Sequence, residues 1–185
     1  RGYFTHISHE LGHAETEKSL PPHVAMAYDG LKIETSLHAP ARMNRSVKSE
    51  EGWRPCVLTI GNFDGVHLGH RELLKRVSQY ATEHQLAAGV LTFDPHPVKL
   101  VAPERSPRLL TTIEQRRQLM AEEGIEQILV LPFDRNISKL EPDDFVRRIL
   151  VQNLQVRHVI VGEDFRFGCK QKGDVHLLSQ LGRQY

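Results

Sequence analysis

The sequence has little cysteine, no long hydrophobic run and no excess of either charge. Its 185 residues include two cysteines, Cys56 and Cys169; these are too few for a disulfide framework, which favours a reducing, cytoplasmic environment. The longest apolar runs, such as residues 128–131, are far shorter than the ~20 residues of a membrane span, and no export signal opens the chain. Lys and Arg total 24 and Asp and Glu 23, a net charge of +1. We therefore expect neither a membrane nor a nucleic acid as partner.

The chain divides into three unlike segments. Residues 1–35 carry a compact block of four histidines: His6, His9, His13 and His23. Residues 36–52 are polar and lack a sustained period, which predicts a linker. From residue 53 onward, short apolar runs alternate with amphipathic stretches. Because the chain begins at Arg1 rather than Met, we expect a fragment of a longer protein.

The alternation from residue 53 predicts an α/β domain with a doubly wound parallel sheet. Four short apolar or β-branched runs are predicted strands: residues 56–60, 87–93, 127–131 and 157–161. Amphipathic stretches are predicted helices: one with Leu73, Leu74 and Val77 on its inner face, one opened by a Thr112–Gln115 capping box, one over residues 142–154 and one starting at residue 174. Ligands of such sheets bind beyond the carboxyl ends of the strands. The loops after residues 60, 93, 131 and 161 are thus the predicted site.

The loop after the first of these strands reads GNFDGVHLGH over residues 61–70. Gly61 and Gly65 allow a tight turn and a close approach of the backbone to a ligand, and the following helix aims free N–H groups at that loop. His67 and His70 are three apart, so they face the same side of a first helical turn. Two imidazoles there suit the stabilisation of charge during phosphoryl transfer. The alternative is a strand–turn–helix with two surface histidines.

These ten residues carry a resemblance to a known family. HLGH (67–70) resembles the HxGH signature of the nucleotidyltransferase superfamily, and GNFDGVHLGH resembles its FAD synthetase branch. TFDPHP (92–97), RLLTT (108–112) and VGEDFRFG (161–168) match the same family in the expected order. The resemblance covers about residues 54–185 and implies a Rossmann-like fold. It also implies the FMN adenylyltransferase module of the bacterial bifunctional riboflavin kinase/FAD synthetase, which joins FMN and ATP into FAD and pyrophosphate with Mg²⁺.

The resemblance also implies roles for individual residues. His67 and His70 would be catalytic. Contacts to ATP would come from Gly61, Asn62, Phe63, Asp64, Gly69, Asp164 and Arg166. Contacts to FMN would come from Phe93, Pro95, His96, Pro97, Phe165 and Phe167. No residue of the chain is expected to be a metal ligand, because Mg²⁺ would accompany ATP. The alternatives are that Asp64 caps the helix, that TFDPHP is a proline-stiffened turn, and that one of the two phenylalanines belongs to the core.

Two features depart from the family pattern. Its second phosphate-binding signature, of the ISSTxxR type, and its riboflavin kinase module do not occur before Tyr185, so we expect a sheet that is incomplete at its C-terminal end. Thr5 and His6 resemble the C-terminal tail of metallo-β-lactamase-fold phosphodiesterases, in which the histidine is the last metal ligand. The other ligands of that family are missing, so no metal site is expected in residues 1–35. The competing functions are another HxGH nucleotidyltransferase, such as a cytidylyltransferase, and an inactive fragment.

Overall fold

The computed structural model describes residues 2–4, 24–26 and 52–185. Strand β1 (Gly2–Phe4) pairs in parallel with strand β2 (Val24–Met26), a pair that the sequence analysis does not predict. The predicted metallohydrolase remnant, its His6 and the linker otherwise lie outside the described residues. In the part of the chain that is described, no helix is long and apolar enough to cross a membrane.

The four strands predicted after residue 53 form one parallel sheet in the order β5–β4–β3–β6. The strands are β3 (Cys56–Ile60), β4 (Ala87–Asp94), β5 (Gln127–Pro132) and β6 (Val156–Val159). Every residue of β3 is buried, as expected for a central strand covered on both faces. Strand β6 begins one residue before and ends two residues before the predicted bounds 157–161. Its pairing with β3 shifts register between Cys56 and Val57.

The helices cover both faces of this sheet. They are α1 (Leu68–Glu83), α2 (Pro97–Val101), α3 (Ile113–Glu122), α4 and α5 (Val175–Gln184). Helix α4 begins as an α-helical turn over Pro142–Asp144 and continues as a π-helix over Phe145–Asn153. Leu74 of α1 and Met120 of α3 pack in one cluster with Val57, whereas residues of α4 and α5 pack in a second cluster with Leu58. Val57 and Leu58 are neighbours in β3 and therefore face opposite sides of the sheet, so the two clusters lie on its two faces. The predicted doubly wound α/β fold is confirmed.

The order of the strands determines where a ligand can enter. The chain proceeds from β3 to β4 to β5 in one direction, and β6 then lies on the other side of β3. The loops that follow β3 and β6 therefore lead away from each other to opposite sides, which opens a crevice at the carboxyl ends of these two strands. The two loops that flank it are residues 61–67 and 160–168.

Local signals fix the ends of two helices. Gln115 N–H donates to Thr112 Oγ1 at 3.2 Å and Thr112 N–H donates to Gln115 Oε1 at 2.9 Å, so the predicted capping box is present. Asp174 caps α5 by accepting the N–H of Leu177 at 2.8 Å. The π-helical hydrogen bonds of α4 were not predicted, although Phe145, Ile149 and Leu150 are buried as expected.

Candidate functional site

The loop after β3 is tied to its surroundings through backbone atoms. The Gly61 N–H donates to Leu91 O at 3.1 Å. The carbonyl oxygen of Asn62 accepts two hydrogen bonds, from Thr92 Oγ1 at 3.2 Å and from Arg116 Nη1 at 2.9 Å. Strand β4 and helix α3 thus hold the start of this loop in place.

Phe63 lies beneath the loop rather than at its surface. It is 1% exposed and has a left-handed backbone, with φ at 51°. Its ring approaches Gly61 so closely that a Cβ there would lie 3.1 Å from Phe63 Cε2, and its centroid is 5.0 Å from that of His70. Phe63 therefore shapes the predicted nucleotide loop from below and presses against one of its histidines.

His67 and His70 lie on the same side of the loop, as predicted. Their rings stack with centroids 3.6 Å apart and planes 21° apart. His67 caps α1, and its Nδ1 accepts the backbone N–H of His70 at 3.4 Å. Because Nδ1 accepts this hydrogen bond, the ring N–H that His67 can offer is the one on Nε2. That N–H is the group with which His67 can donate to an anion.

The environment of His70 keeps its ring neutral. Burial and, secondly, the neighbouring His67 lower the pKa of His70 to about 4, and Asp64 opposes that shift. Its Nδ1 is buried and has no hydrogen-bond partner among the described residues. The His70 ring is thus neutral, and one of its nitrogens has no hydrogen-bond partner in the described part of the chain. The ring can form a new hydrogen bond to an arriving phosphate without first losing a salt bridge.

The carboxylate of Asp64 connects this loop to the segment before α3. It accepts the N–H groups of Leu110 (2.9 and 3.0 Å to its two oxygens) and Thr111 (3.0 Å), and the hydroxyl of Thr111 at 2.8 Å. Thr111 Oγ1 in turn accepts the N–H of Gly65 at 3.0 Å. Partial burial raises the pKa of Asp64, but these hydrogen bonds and the charge of Arg116 outweigh it and lower the pKa. Asp64 does not cap α1; it fastens two loops together.

An aromatic cavity of about 720 Å³ opens beside the carboxyl end of β3, and Ile60 lies in its wall. Phe93, Phe133, Phe145, Phe165 and Phe167 contribute aromatic rings to its lining. The rings of Phe165 and Phe167 stack at 5.6 Å with 13° between their planes, and Phe93 meets Phe133 edge to face at 5.6 Å. The predicted residues Phe93, Pro97, Phe165 and Phe167 therefore share one cavity.

The charges that line this cavity have one sign. Among the described residues that line it, Arg105, Arg166 and Lys170 carry a positive charge, and none is Asp or Glu. Aromatic walls bind planar rings by stacking, and several cations in the wall attract an anionic substituent. The cavity suits a planar, apolar ligand that carries negative charge.

Several predicted residues lie elsewhere than the predicted roles suggest. Arg166, predicted to contact ATP, lines the aromatic cavity, and its guanidinium donates to Phe165 O at 3.1 Å. Pro95 and His96, predicted to contact FMN, lie outside the lining of that cavity. His96 caps α2 by accepting the N–H of Val98 at 3.2 Å.

The electrostatic neighbours of His96 indicate which half of the site it adjoins. Burial and then the charge of Arg116 lower the pKa of His96, and Asp64 opposes them. Arg116 and Asp64 both belong to the surroundings of residues 61–70.

Two further residues were predicted to contact ATP. Asp164 is exposed. Gly69 lies beside His67, since a Cβ at position 69 would be 3.4 Å from His67 Cε1.

Three sets of residues were missed by the sequence analysis. From the sequence, Arg116 would be expected to be an exposed charge on the surface of a helix, yet its side chain is 1% exposed. Val98, Val101, Phe133 and Ile137 line the cavity; the loop after residue 131 was among the predicted locations, but no residue in it was assigned. Gly173 has no room for a side chain, because a Cβ there would lie 2.6 Å from Phe167 Cε1.

Comparison with known families identifies residues 49–185 as FAD synthetase. The chain is 40% identical over 142 residues to the bifunctional riboflavin kinase/FMN adenylyltransferase of Escherichia coli (strain K12), a match that covers 77% of this chain and 44% of the relative. It is 41% identical over 129 residues to the protein of the same name from Pseudomonas fluorescens, covering 70% of this chain and 41% of that protein. The chain thus spans less than half the length of these relatives.

A solved structure has the same fold. The macrolide-efflux protein from Streptococcus pneumoniae superposes with a TM-score of 0.60 at 23% identity, over 69% of this chain and 43% of that one. At this identity the likeness concerns the fold alone.

Proposed function

We propose that this chain, which belongs to the FAD synthetase family, transfers the AMP group of ATP to FMN and releases pyrophosphate. The observation that carries the proposal is the pairing of two unlike half-sites at one edge of the sheet. One is the stacked pair His67 and His70 at the start of α1. The other is the aromatic cavity with three cations in its wall.

The histidine half suits the chemical step. A phosphate oxygen of FMN attacks the α-phosphorus of ATP, the new P–O bond forms, and the bond to pyrophosphate breaks on the opposite side. No covalent intermediate with the protein is needed, so catalysis rests on positioning and on stabilising charge. Imidazole N–H groups of His67 and His70 that donate hydrogen bonds to the phosphate oxygens supply both, together with backbone N–H groups of the first turn of α1.

The aromatic cavity suits the isoalloxazine ring of FMN. The ring is planar and apolar on its faces, and Phe93, Phe165 and Phe167 offer faces and edges for stacking. The cations Arg105, Arg166 and Lys170 favour the FMN phosphate over an uncharged flavin. We accordingly assign Arg166 to the flavin half and His96 to the histidine half, each in exchange for the role first expected of it.

Mg²⁺ enters this proposal as part of the substrate MgATP. Among the described residues no group of three or more His, Cys, Asp or Glu could hold a metal ion. Mg²⁺ commonly keeps several water ligands and binds through substrate phosphates with one or two carboxylates. That mode of binding requires no metal cage from the protein.

A riboflavin kinase is the proposed partner activity, since it supplies FMN. The curated relatives carry both activities in their names, and this chain spans 41–44% of two of them. We propose that the full protein joins the two, and that both act in the cytoplasm.

The test is the formation of FAD by the 185-residue chain from FMN, ATP and Mg²⁺, followed by chromatography and fluorescence. We expect FAD and pyrophosphate in equal amounts. Higher activity with CTP and a small phosphorylated alcohol would replace the flavin assignment by that of another nucleotidyltransferase. If neither pair reacts while the far-UV circular dichroism shows a folded domain, this chain is an inactive fragment.

A further inference from the structure

Arg116 is a buried cation whose charge acts on the Asp64 carboxylate but which makes no direct ion pair among the described residues. It lies in the first turn of α3, 1% exposed, and its guanidinium forms no ion pair with any residue that the structure describes. Its Nη1 donates to the Asn62 carbonyl at 2.9 Å, whereas its Nε is buried with no hydrogen-bond partner. Burying a charge in this way is costly unless something compensates for it.

Four buried side-chain polar atoms of the described residues lack a hydrogen-bond partner: one is Thr59 Oγ1 on β3, and the other three belong to Arg116 and to the histidine loop. These three are Arg116 Nε, Asn62 Oδ1 and His70 Nδ1. Asn62 is the residue that Arg116 holds, and His70 belongs to the same loop. Buried polar atoms in native proteins are nearly always satisfied, so a group of exceptions around one loop indicates a ligand or water that completes them.

The charge of Arg116 extends across the histidine half of the site. It contributes to lowering the pKa of both Asp64 and His96. These two residues lie on different loops, so the guanidinium is near enough to both segments, 61–70 and 92–97, for its charge to act on them. A positive charge there acts on any anion bound above His67 and His70.

We propose that Arg116 is a positioning residue for the polyphosphate: it holds the Asn62 carbonyl and supplies a buried positive charge that attracts the triphosphate to the histidine loop. The anion in turn adds to the compensation of the Arg116 charge that Asp64 provides. The inference rests on the proposed function only for the identity of the nucleotide, because any polyphosphate bound at this loop would experience the same charge.

The experiment compares Arg116→Met, which keeps the bulk and removes the charge, with Arg116→Lys and with the control Arg117→Met. Arg117 is the exposed neighbour on the same helix. Binding of inorganic pyrophosphate and of uncharged adenosine to the 185-residue chain is measured by calorimetry. We expect pyrophosphate to bind at least tenfold more weakly to Arg116→Met and within about threefold of the wild type to Arg116→Lys. Adenosine binding and the Arg117→Met variant should change little. In the FAD assay the KM for ATP should rise more than kcat falls.

Equal losses of pyrophosphate and adenosine binding would overturn the proposal, since they would mean that the loop has collapsed. Unchanged pyrophosphate binding in Arg116→Met, or none in the wild type, would overturn it as well. If Arg116→Met does not fold, Arg116→Gln keeps a donor without the charge and carries the same comparison. A chain that forms no FAD but binds pyrophosphate in an Arg116-dependent manner would reject the proposed function and retain this inference.

Discussion

The two halves of the site are built by different means. The histidine half comes almost entirely from ten consecutive residues, 61–70, and hydrogen bonds to the Asn62 carbonyl and the Asp64 carboxylate hold it in shape. The aromatic half draws on the end of β4, helix α2, the loop after β5, the start of α4 and residues 165–171. Its rings are held by packing against one another and against the core.

This difference has a functional counterpart. A site fixed by hydrogen bonds keeps donors aimed at the charge that develops during reaction, which lowers the barrier. A site fixed by packing offers area and shape, which favour binding of one ligand over another. We therefore expect substitutions of the two histidines to alter turnover and those of the aromatic rings to alter stability or flavin affinity.

The largest effect is expected for Phe167→Ala. Phe167 is 6% exposed and belongs to the core, and truncating a buried phenylalanine costs about 3–5 kcal/mol of unfolding free energy. Chemical denaturation of the chain measures this loss. Gly173→Ala should also destabilise the chain, because its Cβ would overlap the Phe167 ring, and Phe167→Leu should partly rescue it. A stable Phe167→Ala variant with weak flavin binding would show that the ring serves the ligand rather than the core.

The next effect concerns catalysis. His70→Ala removes a preorganised donor, which costs about 3 kcal/mol, or roughly a hundredfold in kcat. The dissociation constant for FMN should change little because the aromatic half is intact. Turnover in the FAD assay tests this, with His84→Ala, just beyond the other end of α1, as the matched control. Near-normal turnover of His70→Ala would contradict the catalytic role.

Asp64→Asn tests the fastening of the two loops. Hydrogen bonds from backbone N–H groups to a carboxylate contribute about 1–3 kcal/mol, and we expect a loss of unfolding free energy of this order at pH 7. Because the folded-state pKa of Asp64 is lowered, its contribution is present above the unfolded pKa of about 4 and is lost as the pH falls through the folded pKa.

The difference between wild type and Asp64→Asn should therefore narrow below about pH 4. Denaturation curves across that range measure it, with the exposed Glu104→Gln as control. A difference that stays constant with pH would mean that the charge of Asp64 does not matter.

The smallest effect is expected for Phe165→Ala. Phe165 is half-buried and stacks on Phe167 at the wall of the cavity, so its ring is the more dispensable of the two for folding. Loss of one stacking face should weaken FMN binding by about 1 kcal/mol, roughly fivefold. Quenching of flavin fluorescence measures this, and Phe165→Tyr should bind as the wild type does. A fall in kcat at unchanged FMN affinity would remove the distinction between the two halves.

Local patterns in the sequence were sufficient for the elements of the domain. The bounds of β3 and the Thr112–Gln115 capping box were predicted to the residue, because both depend on near neighbours in the chain. The predicted same-side placement of His67 and His70 is confirmed, although His67 is the extended N-cap residue of α1 rather than part of its first turn. The π-helical hydrogen bonds of α4 were not predictable in this way, since an inward-facing set such as Phe145, Ile149 and Leu150 is equally compatible with an α-helix.

By itself the sequence determined the alternation of strands and helices, the histidine loop and the family to which the chain belongs. Only the tertiary structure decided that Arg116 is buried behind that loop, that the Asp64 carboxylate fastens it to Thr111, and that Arg166 lines the aromatic cavity. The physical reason is the range of the interactions. Hydrophobic periodicity and caps act within about one helical turn or one strand, whereas the charge, hydrogen bonds and packing of these three residues involve partners that are distant in the chain and meet only when the sheet has assembled.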